Sequence, residues 1–204
     1  MHLLDQMLLG IVILLLLAVL VVVKFLTTGS ILDKPKGSFL LQLVNIFNLF
    51  FLLIVNPVAA ILLIIRLLES IDVTHLIIGT PWILMVIEIV GLALYVSGFL
   101  LMALALIRLG RNYQLGGSAP RSEDHMIAGG PYSLIRHPMY TAALSISLGL
   151  AFLIQSWVFF GVFCIYLILI LLLIPVEEKE LKKVYGAQYV SYQQKTGKLI
   201  PFVY

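Results

Sequence analysis

The chain has 204 residues, of which 62% are hydrophobic and 11% charged, and its mean hydropathy is +1.12. Soluble domains carry roughly 25% charged residues, so the composition excludes an ordinary soluble domain and indicates an integral membrane protein. The formal net charge of +3 is small, and no nucleic-acid partner is expected. Cys164 is the only cysteine, which excludes an internal disulfide and a cysteine metal site.

Five apolar windows predict an all-α membrane domain over residues 1–204, since a membrane helix needs about twenty apolar residues. The first window, Met7 to Leu26, lacks a basic flank and a small-residue cleavage site, which favours a retained span over a signal peptide. The second, Phe39 to Leu68, contains Asn56-Pro57 at its middle. Proline removes a backbone donor there, so we expect a kinked, tilted helix.

The remaining windows are Pro81 to Leu109, Met139 to Leu153 and Trp157 to Pro175. The fourth is short and rich in small residues, which let helix backbones approach closely in a bilayer. Because only residues 154–156 separate the fourth and fifth windows, we expect them to form a tight hairpin. Glu88 lies within the third window, and we interpret it as a bundle-internal hydrogen-bonding residue rather than a proton or substrate carrier.

The basic residues predict the orientation of this bundle. With five spans and a cytoplasmic C-terminus, twelve of the 13 Lys and Arg residues lie inside, and Arg66 alone lies outside with the N-terminus. This agrees with the retention of positive loops in the cytoplasm. Two segments then share the cytoplasmic side: residues 110–140, which include the 110–135 loop, and the tail 176–204. We expect them to form a small cap there.

A polar motif begins the fourth window, from Gly130 to Tyr140. Pro138 suits a first helical position because its φ is already set, and a helix N-terminus favours an anion such as a carboxylate. Arg136 as a membrane anchor and His137 as a partly buried polar side chain remain open alternatives. The four histidines lack metal-binding spacing such as H-E-x-x-H, so no metal is predicted; they are His2, His75, His125 and His137.

Glu177 and Glu178 follow the fifth window and open a charged tail. One interpretation is a solvated helix face, since Glu178 and Lys182 have the i, i+4 spacing of a stabilising pair. The predicted hairpin favours a second interpretation, because it places the two acids beside Arg136 and His137. A carboxylate, an imidazole and phenols would then converge at one membrane surface.

These motifs resemble the isoprenylcysteine carboxyl methyltransferases and the related membrane phospholipid methyltransferases. The resemblance covers residues 110–202 and rests on Gly130-Pro131-Tyr132, Arg136-His137-Pro138-Met139-Tyr140, Glu177-Glu178-Lys179-Glu180-Leu181, Tyr185-Gly186, Tyr189, Tyr192 and Leu199-Ile200-Pro201-Phe202. It implies an S-adenosylmethionine site without a Rossmann domain. The implied cofactor-binding residues are His125, Met126, Ile127, Ala128, Tyr132, His137, Pro138, Met139, Tyr140 and Glu177.

We assign no catalytic residue, and propose roles for the cofactor-binding ones. His137, with the helix N-terminus, is expected to hold the methionyl carboxylate, and Glu177 the amino group or ribose hydroxyls. Tyr132 or Tyr140 is expected to face the sulfonium, and the backbone of residues 126–128 to bind adenine. Tyr189 and Tyr192 are interpreted as interfacial aromatic residues, and a solvated loop histidine remains the alternative for His125.

The predicted reaction is methyl transfer to a lipophilic substrate in the bilayer, with an isoprenylcysteine carboxylate favoured. Two positions depart from the family pattern: Leu173 stands where an arginine is expected to meet the substrate, and Ala142 replaces a glycine. The alternatives are a phospholipid amine N-methyltransferase and a non-catalytic transporter or scaffold. The expected partners are the bilayer and a prenylated or lipophilic substrate, and the sequence predicts no oligomeric state.

Overall fold

The computed structural model describes residues 4–29, 39–74, 80–110 and 125–203. All regular secondary structure in these ranges is helical. A π turn, Phe51–Val55, separates two of the helices, and a 3-10 turn, Gly130–Ser133, precedes a third. The helices are α1 (Gln6–Thr28), α2 (Phe39–Phe50), α3 (Asn56–Ile64), α4 (Leu68–Ile71), α5 (Pro81–Leu109), α6 (Pro138–Ile154), α7 (Trp157–Tyr185) and α8 (Ala187–Lys195).

Four of the five predicted spans are confirmed, two of them with a change of extent, and the fourth window forms α6, a shorter apolar helix of 17 residues. Four described segments are long and apolar enough to cross a bilayer: Gln6–Thr28, Phe39–Ile64, Pro81–Leu109 and Trp157–Tyr185. The second ends at Ile64 rather than at Leu68. The fifth was expected to end at Pro175, but α7 continues to Tyr185. A single proline removes only one backbone donor, and the Glu, Lys and Leu residues after it are good helix formers.

The predicted disruption at Asn56-Pro57 is present as the π turn between α2 and α3. The Asn56 side-chain amide donates to the Phe51 carbonyl at 2.8 Å, and the Tyr95 hydroxyl donates to the Asn56 side-chain oxygen at 2.7 Å. A backbone group left unpaired within a bilayer is costly. The Asn56 side chain therefore stabilises an irregular turn that proline imposes, and it ties this span to α5.

Ala142 and Gly149 of α6 face α5, and α6 packs more extensively against α5 than against α7. A Cβ added to Gly149 would lie 2.6 Å from the Tyr95 nitrogen, and one added to Gly98 would lie 2.9 Å from the Ala142 carbonyl oxygen. The close backbone approach is thus between α5 and α6. The short α6–α7 turn is confirmed: Gln155 adopts φ 57° and Ser156 precedes Trp157, the first residue of α7.

Glu88 is completely buried near the start of α5, at the end of the bundle where α6 finishes. The side-chain amide of Gln155 donates to Glu88 Oε1 at 2.8 Å, and the Leu4 amide donates to Oε2 at 2.8 Å. The predicted bundle-internal hydrogen bond is confirmed. This cluster lies at the opposite end of α6 from Arg136 and His137.

Candidate functional site

A buried ion pair joins the start of α6 to the later part of α7. Arg136 Nε lies 2.8 Å from Glu178 Oε1, and the two side chains are 4% and 10% exposed. Arg136 Nη1 also donates to the Gln193 carbonyl at 3.0 Å and to the Thr196 carbonyl. The guanidinium therefore holds the start of α6, α7 and the C-terminal end of α8 together.

His137 lies between the two acids. Its Nε2 is 3.3 Å from Glu178 Oε1, and its Nδ1 is 3.6 Å from Glu177 Oε2. The Gln193 side-chain amide donates to Glu178 Oε2 at 2.9 Å. The imidazole stacks on the Tyr140 ring at a centroid distance of 5.5 Å and an interplanar angle of 14°. Aromatic stacking and hydrogen bonding therefore fix the orientation of this ring.

Backbone pairing brings the C-terminal segment against the start of α6. The Arg136 amide donates to the Gly197 carbonyl at 2.8 Å, and the His137 amide to the Lys198 carbonyl at 3.1 Å. The Thr141 hydroxyl donates to the Leu199 carbonyl at 2.7 Å. The amides of Arg136 and His137 are thus already paired, which leaves fewer donors for the anion expected at this helix N-terminus.

Tyr189 and Tyr192 are part of the site, and the interfacial interpretation is wrong for Tyr189, which is 2% exposed. The Tyr192 hydroxyl donates to the Tyr132 carbonyl at 2.6 Å. Burial raises the pKa of Tyr192 to about 12. Burial, and then the charges of Glu178 and Glu177, raise the pKa of Tyr189 far above its ordinary value. Both phenols stay protonated at neutral pH.

Two buried polar atoms of the site have no hydrogen-bond partner within the described residues: Glu177 Oε2 and the Tyr189 hydroxyl. Buried polar groups are nearly always paired in native structures, and an exception calls for a ligand, a water or a functional reason. The cluster holds two carboxylates and one guanidinium. Its electrostatics therefore favour a ligand with positive charge and hydrogen-bonding groups.

The other predicted residues surround this cluster unequally. Tyr132 and Pro138 are buried, and Met139 and Tyr140 are partly buried beside His137. His125 and Ala128 are exposed, and Met126 and Ile127 partly buried, in the irregular chain that leads to the Gly130–Ser133 turn. Residues 111–124 of the predicted cap loop lie outside the described ranges. The proposed adenine contacts of residues 126–128 stay a prediction.

The interpretation of Glu178 as a solvated partner of Lys182 is wrong, because Glu178 pairs with Arg136 and is 8% exposed as a residue. Its helical spacing gives a signal for this burial: Ile170 and Ile174 are four residues apart, and Glu178 continues the same face. Both isoleucines are buried. Sequence reasoning missed the roles of Gln193 and Thr196, whose carbonyl groups carry no pattern in the sequence.

The helices and the polar cluster define a class: an integral, multi-pass α-helical membrane protein with a buried site at one end of its bundle. Residues 74–188, more than half of the chain, match the family model described as phospholipid methyltransferase. The chain belongs to that family.

Its curated relatives include protein-S-isoprenylcysteine O-methyltransferase B of Arabidopsis thaliana, 32% identical over 125 residues, 55% of this chain and 58% of that protein. The protein-S-isoprenylcysteine O-methyltransferase of Tribolium castaneum is 29% identical over 126 residues, 56% of this chain and 41% of that protein. The chain thus spans about half the length of these relatives.

A solved structure shares the fold of the chain. It is the eukaryotic intramembrane Ras methyltransferase described as isoprenylcysteine carboxyl methyltransferase. The TM-score is 0.51 at 21% sequence identity, and the likeness covers 95% of this chain and 85% of that one. The likeness extends to nearly the whole chain, including the parts outside the family match.

Proposed function

We propose that the protein transfers a methyl group from S-adenosylmethionine to a lipophilic substrate, with the carboxylate of an isoprenylcysteine favoured. The observation that carries this proposal is the acid pair of α7, beside which Glu177 Oε2 and the neighbouring Tyr189 hydroxyl are buried atoms without a hydrogen-bond partner within the described chain. The names of the curated relatives support the carboxyl group as acceptor.

The residues of the cluster fit the cofactor, which carries an ammonium and a sulfonium cation. Glu177 would accept from the ammonium group or the ribose hydroxyls, and the rings of Tyr132 and Tyr140 suit a sulfonium. His137 is held by Glu178 and Tyr140 in a position to border this ligand. The backbone of residues 126–128 remains our proposed adenine contact. When bound, S-adenosylmethionine supplies the electrophilic methyl group.

The protein's own residues act by alignment and by exclusion of water. A carboxylate with an ordinary pKa near 4 is ionised at neutral pH, so this nucleophile needs no general base. Tyr189 and Tyr192 keep their protons, because burial raises both pKa values. The packed cluster would hold the reactants in line and keep the site dry, and both effects lower the barrier.

We propose that the isoprenyl tail of the substrate stays in the bilayer and that its carboxylate meets the site at the membrane surface. The excess of Lys and Arg on one side supports a cytoplasmic site and C-terminus, with the N-terminus outside. Leu173 is completely buried among apolar residues of α7 and α2. A cation that binds the substrate carboxylate must therefore come from another residue of this chain.

The decisive experiment is thermal unfolding in detergent with and without S-adenosylhomocysteine, repeated for His137→Ala and Glu177→Ala. We expect the ligand to raise Tm in the wild type by a binding linkage, and the increase to shrink in both variants. Glu180→Ala is the matched control, since Glu180 pairs with Lys183 away from the site. A full ligand-induced shift in both site variants would refute our site.

A second candidate is methylation of a phospholipid amine, which the description of the matching family favours. An amine nucleophile must lose a proton, so its rate should rise with pH, whereas carboxyl methylation should be flat above neutral pH. Methyl esters released as methanol by mild base identify the carboxyl product. Failure of the wild type to bind S-adenosylhomocysteine would instead favour a transporter or scaffold.

A further inference from the structure

An apolar groove of about 720 Å³ opens between the C-terminal end of α5 and the turn before α6. Leu101, Leu104 and Ile107 form one wall, at helical spacing along a single face of α5. Gly130, Pro131 and Leu134 form the other wall. Its volume lies within the range of known small-ligand sites.

Arg108 lies where this groove reaches the end of α5, in the last turn of the helix. Its side chain is exposed and, within the described residues, has no hydrogen bond or ion pair. A Cβ added to Gly130, whose φ is +64°, would lie 2.8 Å from Arg108 Cγ and from Arg108 Nε. The glycine thus makes room for the arginine stem, and the guanidinium is positioned at the turn.

The same short segment separates this groove from the polar site. Leu134 lines the groove and is 52% exposed, whereas Ile135, Arg136 and His137 are buried, and the last two contact Glu178. Tyr132, in the turn itself, is also buried and accepts a hydrogen bond from Tyr192. The groove-lining Leu134 is thus separated from Arg136 and His137 of the polar site by only one and two residues of chain.

We infer that this groove binds the apolar chain of an isoprenylcysteine substrate and that Arg108 binds its carboxylate, an inference that rests on the proposed function. An apolar groove that ends at a cation without a partner among the described residues is complementary to an anionic amphiphile. Arg136 is already paired with Glu178, and position 173 is a buried leucine. Arg108 is thus a specificity residue that supplies the cation for the substrate.

The test compares the binding of N-acetyl-S-farnesylcysteine with that of its uncharged methyl ester, using purified protein in detergent. We expect the wild type to prefer the acid, and Arg108→Gln to weaken acid binding roughly tenfold, as for loss of one charged hydrogen bond, while ester binding is unchanged. Arg108→Lys should recover part of the preference. Lys179→Gln, which removes an exposed cation of α7, is the control and should behave as the wild type.

Leu104→Trp fills the groove and provides an independent variant. It should weaken the binding of the farnesyl compound and leave that of N-acetyl-S-methylcysteine unchanged. An undiminished acid preference in Arg108→Gln would overturn the inference, and so would unchanged farnesyl binding in Leu104→Trp. These binding measurements need no turnover, so absence of methyl transfer by the wild type would count against the proposed function separately.

Discussion

The two ends of the bundle each bury a carboxylate cluster, and the two clusters differ in what they leave unpaired. At one end, both Glu88 oxygens accept hydrogen bonds, from Gln155 and from the Leu4 amide. At the other end, Arg136 satisfies Glu178, but Glu177 Oε2 has no hydrogen-bond partner within the described chain. In the Glu88 cluster, the buried atom without a hydrogen-bond partner among the described residues is the neutral amide oxygen of Gln155.

This difference separates a structural cluster from a binding one. Glu88 joins α5 to the α6–α7 turn and to the chain before α1, and both of its carboxyl oxygens are hydrogen-bonded by protein groups. Glu177 offers a buried oxygen that lies 3.6 Å from His137 Nδ1 but has no hydrogen-bond partner within the described chain, beside a second incomplete group on Tyr189. Burial of an acid in a membrane bundle thus indicates binding only where its hydrogen bonds are unfinished.

The largest expected effect is on the ion pair that holds the binding cluster together. Arg136→Gln leaves Glu178 buried without its cation, which should lower the free energy of unfolding by about 3–5 kcal/mol. The measurement is unfolding by SDS titration in mixed micelles. Arg66→Gln is the control, because its pair with Asp5 is 69% and 53% exposed and should matter by less than about 1 kcal/mol. Equal losses in the two variants would contradict the structural role of Arg136.

Glu177→Gln should affect binding more than stability. It removes the carboxylate oxygen that has no hydrogen-bond partner within the described chain, so we expect affinity for S-adenosylhomocysteine to fall about tenfold or more, as for loss of a charged hydrogen bond. Calorimetric titration measures this change, and the Tm without ligand should barely move. An unchanged affinity would place the cofactor away from Glu177.

Glu88→Gln should give the reverse result and so sharpens the comparison. The neutral amide cannot accept as well from both Gln155 and the Leu4 amide, so we expect unfolding to become easier by about 1–3 kcal/mol. Affinity for S-adenosylhomocysteine should be that of the wild type. A weaker affinity in Glu88→Gln would mean that the two clusters are coupled.

Tyr189→Phe is expected to have the smallest effect. It removes a buried hydroxyl that has no hydrogen-bond partner among the described residues, so stability should not fall. Affinity for S-adenosylhomocysteine should drop a few-fold, as for a neutral hydrogen bond of about 1 kcal/mol. Tyr192→Phe breaks the bond to the Tyr132 carbonyl and should lower stability by about 1 kcal/mol. Destabilisation by Tyr189→Phe as large as that by Tyr192→Phe would show that the Tyr189 hydroxyl is already satisfied by water.

Much of the fold could be predicted because hydropathy is a local property. The start and end of α5, Pro81–Leu109, agree with the apolar window, and Asn56-Pro57 marks the π turn because proline lacks a backbone donor. The end of α7 could not be predicted in the same way. Hydropathy changes at Pro175, but the residues that follow still form helix.

The sequence by itself determined a helical membrane bundle, a polar motif at the start of α6 and an acid pair on α7, because these depend on residue type and short spacing. Only the tertiary structure decided that Glu178 pairs with Arg136, 42 residues away, that Tyr189 is buried, and that α6 packs closely on α5. These contacts depend on which helix faces meet and on where the C-terminal segment pairs with the chain before α6. Such long-range geometry follows from packing of the whole bundle: the spacing of Ile170, Ile174 and Glu178 indicates a common helix face, but it does not identify what that face contacts.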